Sequence, residues 1–446
     1  MKNELLDMVE NNFSNKQLIK KKLADMNIVD IAEIFDDLEK EKALQIFRLL
    51  PKNKAADVFS YISPEKQKLI IEAITDKELG KIIDDLYLDD TVDLLEEMPA
   101  NVVRKILKNT DRATRKIINQ FLNYPEDSAG SVMTIEYVDL QKDMTIREAI
   151  DTIRKTVEDK ETFEICYVVS EERLLEGTVS IKDILLTNDD KKISDIMDNK
   201  NIIYVNTTDD KEFVSKLFMK YDCSSLAVVD NEKRLVGIIT VDDVVDIIQD
   251  ENTEDFELMA AMTPSEKPYL KTSILKLAIN RIPWLLFLMI SATLTGFVIN
   301  NFETELAKES VLIAFIPMLM DTGGNSGSQA ATLAIRGLAL NEIKTSDFFA
   351  IMFKESSVGL IAGFILAVFN FFRLLILKYD ILVALTVCSS ILLTVVISNI
   401  IGGILPLIAK FLKLDPALMA APLITTIVDV ISLIAYFCIA SSLLNI

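Results

Sequence analysis

Histidine is absent from the 446-residue chain, and cysteine occurs only four times, at Cys166, Cys223, Cys388 and Cys438. Without imidazole there is no Ser-His-Asp triad and no histidine general base. The cysteines are isolated in sequence, which excludes a zinc or disulfide scaffold. An excess of basic charge is also lacking. The chain carries 47 Lys+Arg against 67 Asp+Glu, a net charge of −20, so nucleic acid is not an expected partner. No signal-peptide pattern opens the chain, which starts with charged, amphipathic sequence. Disorder is excluded by what is plentiful: 50% of residues are hydrophobic, and mean hydropathy is +0.30.

Charge and apolarity occupy different halves. Residues 271–446 hold 11 basic and 10 acidic residues, a net of +1. Residues 1–270 hold the other 36 and 57, a net of −21. The length alone suggests about three domains.

Residues 1–128 are expected to form a small cytoplasmic α-solenoid. Apolar residues recur at three- and four-residue steps, as in Ile31, Ile34, Phe35 and Leu38. Pro51, Pro64 and Pro99 punctuate short units of loosely constant length. Residues 129–249 change to short β-branched runs alternating with helical patterns. Gly177-Thr-Val-Ser180-Ile-Lys-Asp183 recurs as Gly237-Ile-Ile-Thr240-Val-Asp-Asp243, and each module opens on a similar Met, Met133 or Met197. This order resembles a tandem pair of cystathionine-β-synthase (CBS) domains, an α/β fold, with modules at 129–193 and 194–249. In such a pair Ser180, Asp183, Thr240 and Asp243 can cap the following helix or hold a nucleotide ribose, ATP being the candidate ligand. A connecting helix is expected over 250–272.

The rest, 273–446, is expected to be an all-α transmembrane domain of five helices. The candidate spans are about 282–300, 311–337, 347–373, 381–409 and 416–444. A span needs about 20 apolar residues. The last four are longer and should tilt or break. Basic residues before the first span place the soluble half in the cytoplasm, and an odd number of spans then puts the C-terminus outside.

Two carboxylates in this region need explaining, because a charge at bilayer depth costs several kcal/mol on most scales, roughly. Asp429 lies deep in the fifth span. Asp321 lies beside the run Gly323-Gly324-Asn325-Ser326-Gly327-Ser328-Gln329. That run is not a phosphate loop, since no Lys-Ser/Thr follows it. It can mark a break in the second span, capped by Asp321. Its small residues permit close helix packing, and Asn325 can line a pore; the two roles are compatible. In the fifth span Pro422 frees a carbonyl, and Thr426 lies three residues before Asp429. Hydroxyl, carbonyl and carboxylate oxygens on one face suit a hard cation such as Mg²⁺ or Ca²⁺.

"MDTGGNSGSQAATLAIRGLAL" and "DPALMAAPLITTIVD" resemble the MgtE family of magnesium channels and transporters. "YPEDSAGSVMT", the paired CBS modules and "EDFELMAAM" fit the same family. The resemblance implies a homodimer in the cell membrane, with a pore lined by the second and fifth helices. The pore residues it implies are Asp429, Thr426, Pro422, Ala421, Asn325 and Asp321. Asp429 would select hydrated Mg²⁺, Asp415 would form an auxiliary metal site, and Glu305 and Glu309 would help on the outside. The resemblance also implies closure by cytoplasmic Mg²⁺. The acidic positions matching that role are Asp57, Asp89 and Asp93 in the helical domain. In the CBS pair they are Asp210, Glu212, Asp222, Asp243 and Asp246, and in the connecting helix Glu251, Glu254 and Asp255. The last three share one helical face, where like charges repel unless a cation intervenes. Taken singly, any of these acids can instead be a solvated surface residue.

The expected function is a Mg²⁺-selective, channel-like importer and not an enzyme. One rival is a proton-coupled secondary transporter of another divalent cation, such as Co²⁺ or Mn²⁺, or of an anion. Another is a membrane-anchored nucleotide sensor, which leaves Asp429 without a role.

Overall fold

In the computed structural model the described residues are 8, 16–265, 269–270, 272–302, 310–419 and 421–444. The chain divides into two compact units, 1–249 and 250–446.

The first unit opens with a run of short helices: α1 Lys16–Asp25, α2 Ile28–Asp37, α3 Lys40–Leu49, α4 Ala55–Ser60, α5 Pro64–Ala73, α6 Asp76–Asp85, α7 Leu88–Glu97, α8 Ala100–Asn109 and α9 Arg112–Phe121. A 3-10 turn, Lys52–Lys54, leads into α4. Counting that turn, the starts fall at 16, 28, 40, 52, 64, 76, 88, 100 and 112. The loosely constant unit of the sequence is therefore a regular 12-residue repeat. The core follows it: Leu23, Phe35, Phe47, Phe59, Ile71, Ile83 and Leu95 are all buried, and the three phenylalanines meet edge to face at 6.3 and 5.9 Å.

Lysines lock the register. Lys54 Nζ donates to Ala24 O (2.8 Å) and Met26 O (2.9 Å), at the end of α1. Lys66 on α5 donates to Leu38 O after α2. Lys105 on α8 donates to Ile71 O (2.5 Å) and Ile74 O (3.2 Å), at the end of α5. Each cation closes unpaired carbonyls three helices back along the chain, where the helix dipole favours positive charge. Side chains cap the N-terminal ends of α2 (Asn27), α6 (the Thr75–Glu78 capping box) and α9 (Asp111).

The next part holds β1 Asp139–Leu140, α10 Ile146–Thr156, β2 Ile165–Val169, β3 Leu175–Ser180, α11 Ile181–Leu186, β4 Tyr204–Asn206, α12 Lys211–Tyr221, β5 Ser225–Val229 and β6 Leu235–Thr240. Two three-stranded sheets form in the orders β1-β2-β3 and β4-β5-β6. Their registers repeat at an offset of 60: Ile165 pairs with Ser180, and Ser225 with Thr240. The hairpin turns repeat too, with Arg173 at φ 66° and Lys233 at φ 63°. The two opening methionines cross over. A methyl group at Gly237 would lie 2.7 Å from Met133 Sδ, and one at Gly177 would lie 3.2 Å from Met197 Sδ. Thr134 and Ile238 exchange backbone hydrogen bonds at 2.8 Å. Each module's opening segment therefore packs on the other module's glycine, a close approach that a Cβ would block.

From Thr240 the chain enters α13, Val241–Met259. The connecting helix expected over 250–272 is thus the C-terminal part of a helix that begins at Val241. No Pro or Gly interrupts the run 241–259, so nothing ends the helix at residue 250.

Among the described residues the second unit contains five long helices: α14 Ile274–Asn301, α15 Ile316–Ala339, α16 Phe348–Ile376, α17 Ile381–Phe411 and α18 Ala421–Leu444. Among the described residues four stretches are long and apolar enough to cross a membrane: 274–301, 345–376, 381–411 and 416–444. The fifth helix, α15, has 24 residues, enough length at 1.5 Å per residue, but its polar centre lowers its hydropathy. The break expected at Gly323–Gly327 is absent, since α15 runs through it and no glycine has positive φ. The glycines serve contact instead. Added methyl groups would meet Thr425 from Gly324 (2.7 Å), Val428 from Gly323 (2.8 Å) and Ile424 from Gly327 (2.8 Å), and one at Gly402 would overlap the Gly327 carbonyl. α15 therefore packs tightly on both α17 and α18. The fifth span opens with a 3-10 turn, Pro416–Met419, ahead of α18.

Candidate functional site

In the first unit three carboxylates converge. One oxygen each from Asp89, Glu161 and Asp243 lie within 4.8 Å of one another. Asp89 stands in the first turn of α7, and Asp243 in the first turn of α13. Glu161 follows the 3-10 turn Val157–Asp159 and is held by its backbone N–H on Glu136 O (3.0 Å). The Thr240 hydroxyl lies 2.7 Å from Asp243 Oδ2 and 3.2 Å from Glu161 Oε1. Asp89 Oδ1 accepts from Asp90 N (2.9 Å). Among the described residues Glu161 Oε2 is buried with no hydrogen-bond partner, and Asp89 is only 8% exposed.

Burial and mutual repulsion raise Asp89, Asp90, Glu161 and Asp243. Desolvation, then the charges of Glu161, Asp243 and Asp90, lifts Asp89 well above the usual carboxylate range. Burial and neighbouring acids bring Asp90 to about 6; Asp93 is exposed, and partial desolvation with the nearby Glu96, Asp90 and Asp243 charges pushes it in the same direction. Burial and Asp243 bring Glu161 to about 7, and burial is the main cause that brings Asp243 to about 6. Such an oxygen-only set, with an orphaned carboxylate oxygen and uncompensated negative charge, fits a hard divalent cation.

The sign of the linkage is testable. These acids have folded-state pKa values above their unfolded values near 4. The half-buried Asp90, Glu161 and Asp243 contribute stability below about pH 4 that is lost as pH rises through 6 to 7. Acids shifted the other way, such as Glu78 and Glu148, whose carboxylates accept hydrogen bonds from Thr75 and Thr145, contribute stability above the unfolded carboxylate range and lose it only as pH falls below that range, so they do not change between pH 6 and 8. In EDTA the 1–249 unit should melt higher at pH 6 than at pH 8, and millimolar Mg²⁺ should shrink the difference. A pH-independent melting temperature in circular dichroism would contradict this.

The other sequence candidates divide. Asp93 lies one turn after Asp89 on α7. Asp57 is exposed on α4, yet its charge helps raise Asp90 and Tyr87. Asp246 helps raise Asp243 and Tyr61. Asp210 instead caps α12, accepting from Glu212 N (2.8 Å), and Glu212 pairs with Lys216 at 2.6 Å. Asp222 takes the left-handed position at the other end of α12, φ 50°. The two ends of that helix lie about 16 Å apart, so these acids do not form one group. Glu251, Glu254 and Asp255 lie on the second half of α13. Of the nucleotide candidates, Thr240 and Asp243 belong to the carboxylate cluster. Ser180 and Asp183 bond only locally, Ser180 Oγ being 2.7 Å from Asp183 Oδ2 at an exposed helix start.

In the second unit α15 and α18 present the pore candidates. Asp321 and Asn325 are exposed, and Asn325 Nδ2 donates to Asp321 Oδ1 at 3.2 Å. Gln329 continues the exposed polar stripe one turn on. Asp429 is half-buried on α18, next to Val428, which packs on Gly323. The Pro422 carbonyl itself accepts from the hydroxyls of Thr425 (2.9 Å) and Thr426 (3.1 Å). Pro422 sits in the first turn of α18, where a missing N–H interrupts nothing. Ala421 opens the helix. Asp415 is exposed and caps the preceding turn, accepting from Ala417 N (2.7 Å). Glu305 and Glu309 lie outside the described residues.

Sequence reasoning missed two carboxylates. Glu161 sits in a charged stretch, Glu158–Glu164, that looks like solvated loop; only the fold brings it to Asp89 and Asp243. Glu355 lies two turns into α16, and its Cγ would be 2.8 Å from a methyl group on Gly403. The acidic letter inside the third span was a sufficient signal for Glu355.

Comparison with known proteins gives consistent matches. The family model MgtE, described as a divalent cation transporter, matches residues 316–439. The MgtE intracellular N domain matches 26–127, and the CBS domain matches 129–187 and 193–250. The magnesium transporter MgtE of Thermus thermophilus is 35% identical over 432 residues, 96% of this chain and 95% of that protein. The magnesium transporter MgtE of Bacillus subtilis is 30% identical over 420 residues, 93% and 92% of the two chains. A crystal structure of the cytosolic domain of the Mg²⁺ channel MgtE in complex with ATP is 34% identical with a TM-score of 0.52, covering 55% of this chain and all of that one.

Proposed function

We propose, for a chain that belongs to the MgtE family of magnesium transporters, that it is a Mg²⁺-selective, channel-like importer closed by Mg²⁺ on its cytoplasmic side. The half-buried carboxylate of Asp429, on a helix otherwise free of charge from Ala421 to Leu444, carries this reading. A homodimer would set two copies of α15 and α18 around one path, with Asp321, Asn325 and Asp429 facing hydrated ions. Mg²⁺ dehydrates reluctantly, so contact through its waters needs few carboxylates. The inside-negative potential supplies about 2.3 kcal/mol per charge per 100 mV, and entry needs no other energy source. The C-terminus would then lie outside.

The regulatory cation is assigned to Asp89, Glu161 and Asp243, with Asp93, Asp57 and Asp246 nearby and Glu251, Glu254 and Asp255 further along α13. Asp210, Glu212, Asp222 and Asp415 remain proposed auxiliary ligands. Ser180 and Asp183 are the better ATP candidates, because Thr240 and Asp243 are engaged in the cluster. Asp183→Ala should weaken ATP binding at least about tenfold in calorimetry, and an unchanged affinity would remove that assignment.

The deciding experiment is Mg²⁺ flux through purified protein in liposomes with internal Mg²⁺ titrated. Flux should fall as internal Mg²⁺ rises and should follow membrane potential without a proton gradient. Strict dependence on a proton gradient would replace the channel with a coupled carrier.

A further inference from the structure

Hydroxyls in the membrane helices mostly bond to their own helix. Ser328, Thr332, Ser356, Thr386 and Ser390 each donate to the carbonyl four residues back, at 2.6–2.9 Å. Ser326 on α15 does not. Its Oγ lies 2.7 Å from the side-chain amide of Asn399 on α17. Asn399 is 5% exposed. With the amide turned to satisfy both ends, Nδ2 donates to Ser326 Oγ (2.7 Å) and Ser326 O (3.0 Å), and Oδ1 accepts from Gly359 N on α16 (3.2 Å). One buried side chain thus ties three helices together.

The surrounding contacts explain why a polar tie is used there. Gly327 meets Gly402 one turn along, and a methyl group on Gly359 would lie 2.8 Å from Val396 Cα. Seams of small residues bring helices close, but their smooth surfaces resist rolling poorly. A directional hydrogen bond resists it well, because an unpartnered amide in hydrocarbon is expensive. Ser326 follows Asn325 directly, about 100° round the helix. Holding Ser326 towards α17 therefore turns Asn325 and Asp321 outwards.

We propose that Asn399 is a positioning residue that sets the rotation of α15 through Ser326, and thereby the ion selectivity of the exposed Asp321–Asn325 face. This inference rests on the pore reading above. The test is the ratio of Mg²⁺ to Ca²⁺ flux in liposomes for Asn399→Leu, Ser326→Ala, the pair together and the exchange Ser326→Asn/Asn399→Ser. Each single change should lower the ratio roughly three- to tenfold. The double change should be no worse than either single one, and the exchange should restore part of the ratio. Unchanged ratios alongside a lowered melting temperature would make the tie merely structural and overturn the proposal; so would strictly additive effects. Ser326→Ala, which removes one hydroxyl, carries the test if Asn399→Leu does not fold. Asp429→Asn serves as the separate control. If it leaves flux intact, the pore reading itself falls; if it abolishes flux while Asn399→Leu keeps the wild-type ratio, only this inference falls.

Discussion

Asp429→Asn should reduce Mg²⁺ flux at least about 100-fold while the purified protein remains homogeneous and helical. The physical ground is the charge. A unit charge acting on another at 4 Å contributes about 4 kcal/mol at an effective dielectric near 20, and the ion is divalent. Losing even half of that attraction exceeds the roughly 2.8 kcal/mol that a 100-fold change requires. Asparagine keeps the shape, so packing against α15 through Val428 and Thr425 should survive. Asp429→Glu keeps the charge but displaces it by one methylene and should retain partial flux. Flux within tenfold of wild type in Asp429→Asn would mean that this carboxylate does not meet the ion.

The second large effect concerns closure. In the triple variant Asp89→Asn, Glu161→Gln, Asp243→Asn, flux should no longer fall as internal Mg²⁺ is raised. The same variant should be more stable than wild type in EDTA, because it removes buried like charges. It should also lose the Mg²⁺-dependent rise in melting temperature that binding to the folded state produces. These two signs move in opposite directions, which separates loss of a cation site from simple damage. Single substitutions in a shared cluster are not expected to add. A triple variant that still closes with the wild-type Mg²⁺ dependence would exclude this cluster as the sensor.

Much of this was legible in the sequence. The charge division, the repeat at an offset of 60, the apolar stretches and Asp429 are all local features, and local features survive in a one-dimensional string. The 12-residue helical period was legible only loosely, because Pro51, Pro64 and Pro99 mark some unit ends and polar caps mark others. Where the reading failed, the reason was local ambiguity. Gly323 to Gly327 looked like a helix break, since glycine weakens a helix. In the bundle those glycines are what lets α15 approach α17 and α18, and packing outweighs propensity.

The sequence by itself determined an acidic half and a near-neutral half with apolar stretches long enough to cross a membrane, because composition and hydrophobic period follow from residue order alone; the resemblance of its membrane motifs to a known family is what implied transport. Tertiary structure decided which acids act together. Asp89, Glu161 and Asp243 are separated by 72 and 82 residues along the chain, and only folding places their oxygens within 4.8 Å. The same folding leaves Asp210 and Asp222 at opposite ends of one helix. It also joins Ser326 to Asn399, 73 residues apart. Charge can be counted along a chain. Repulsion, burial and the orphaning of a carboxylate oxygen depend on distances in space, and those distances exist only once the helices and sheets have packed.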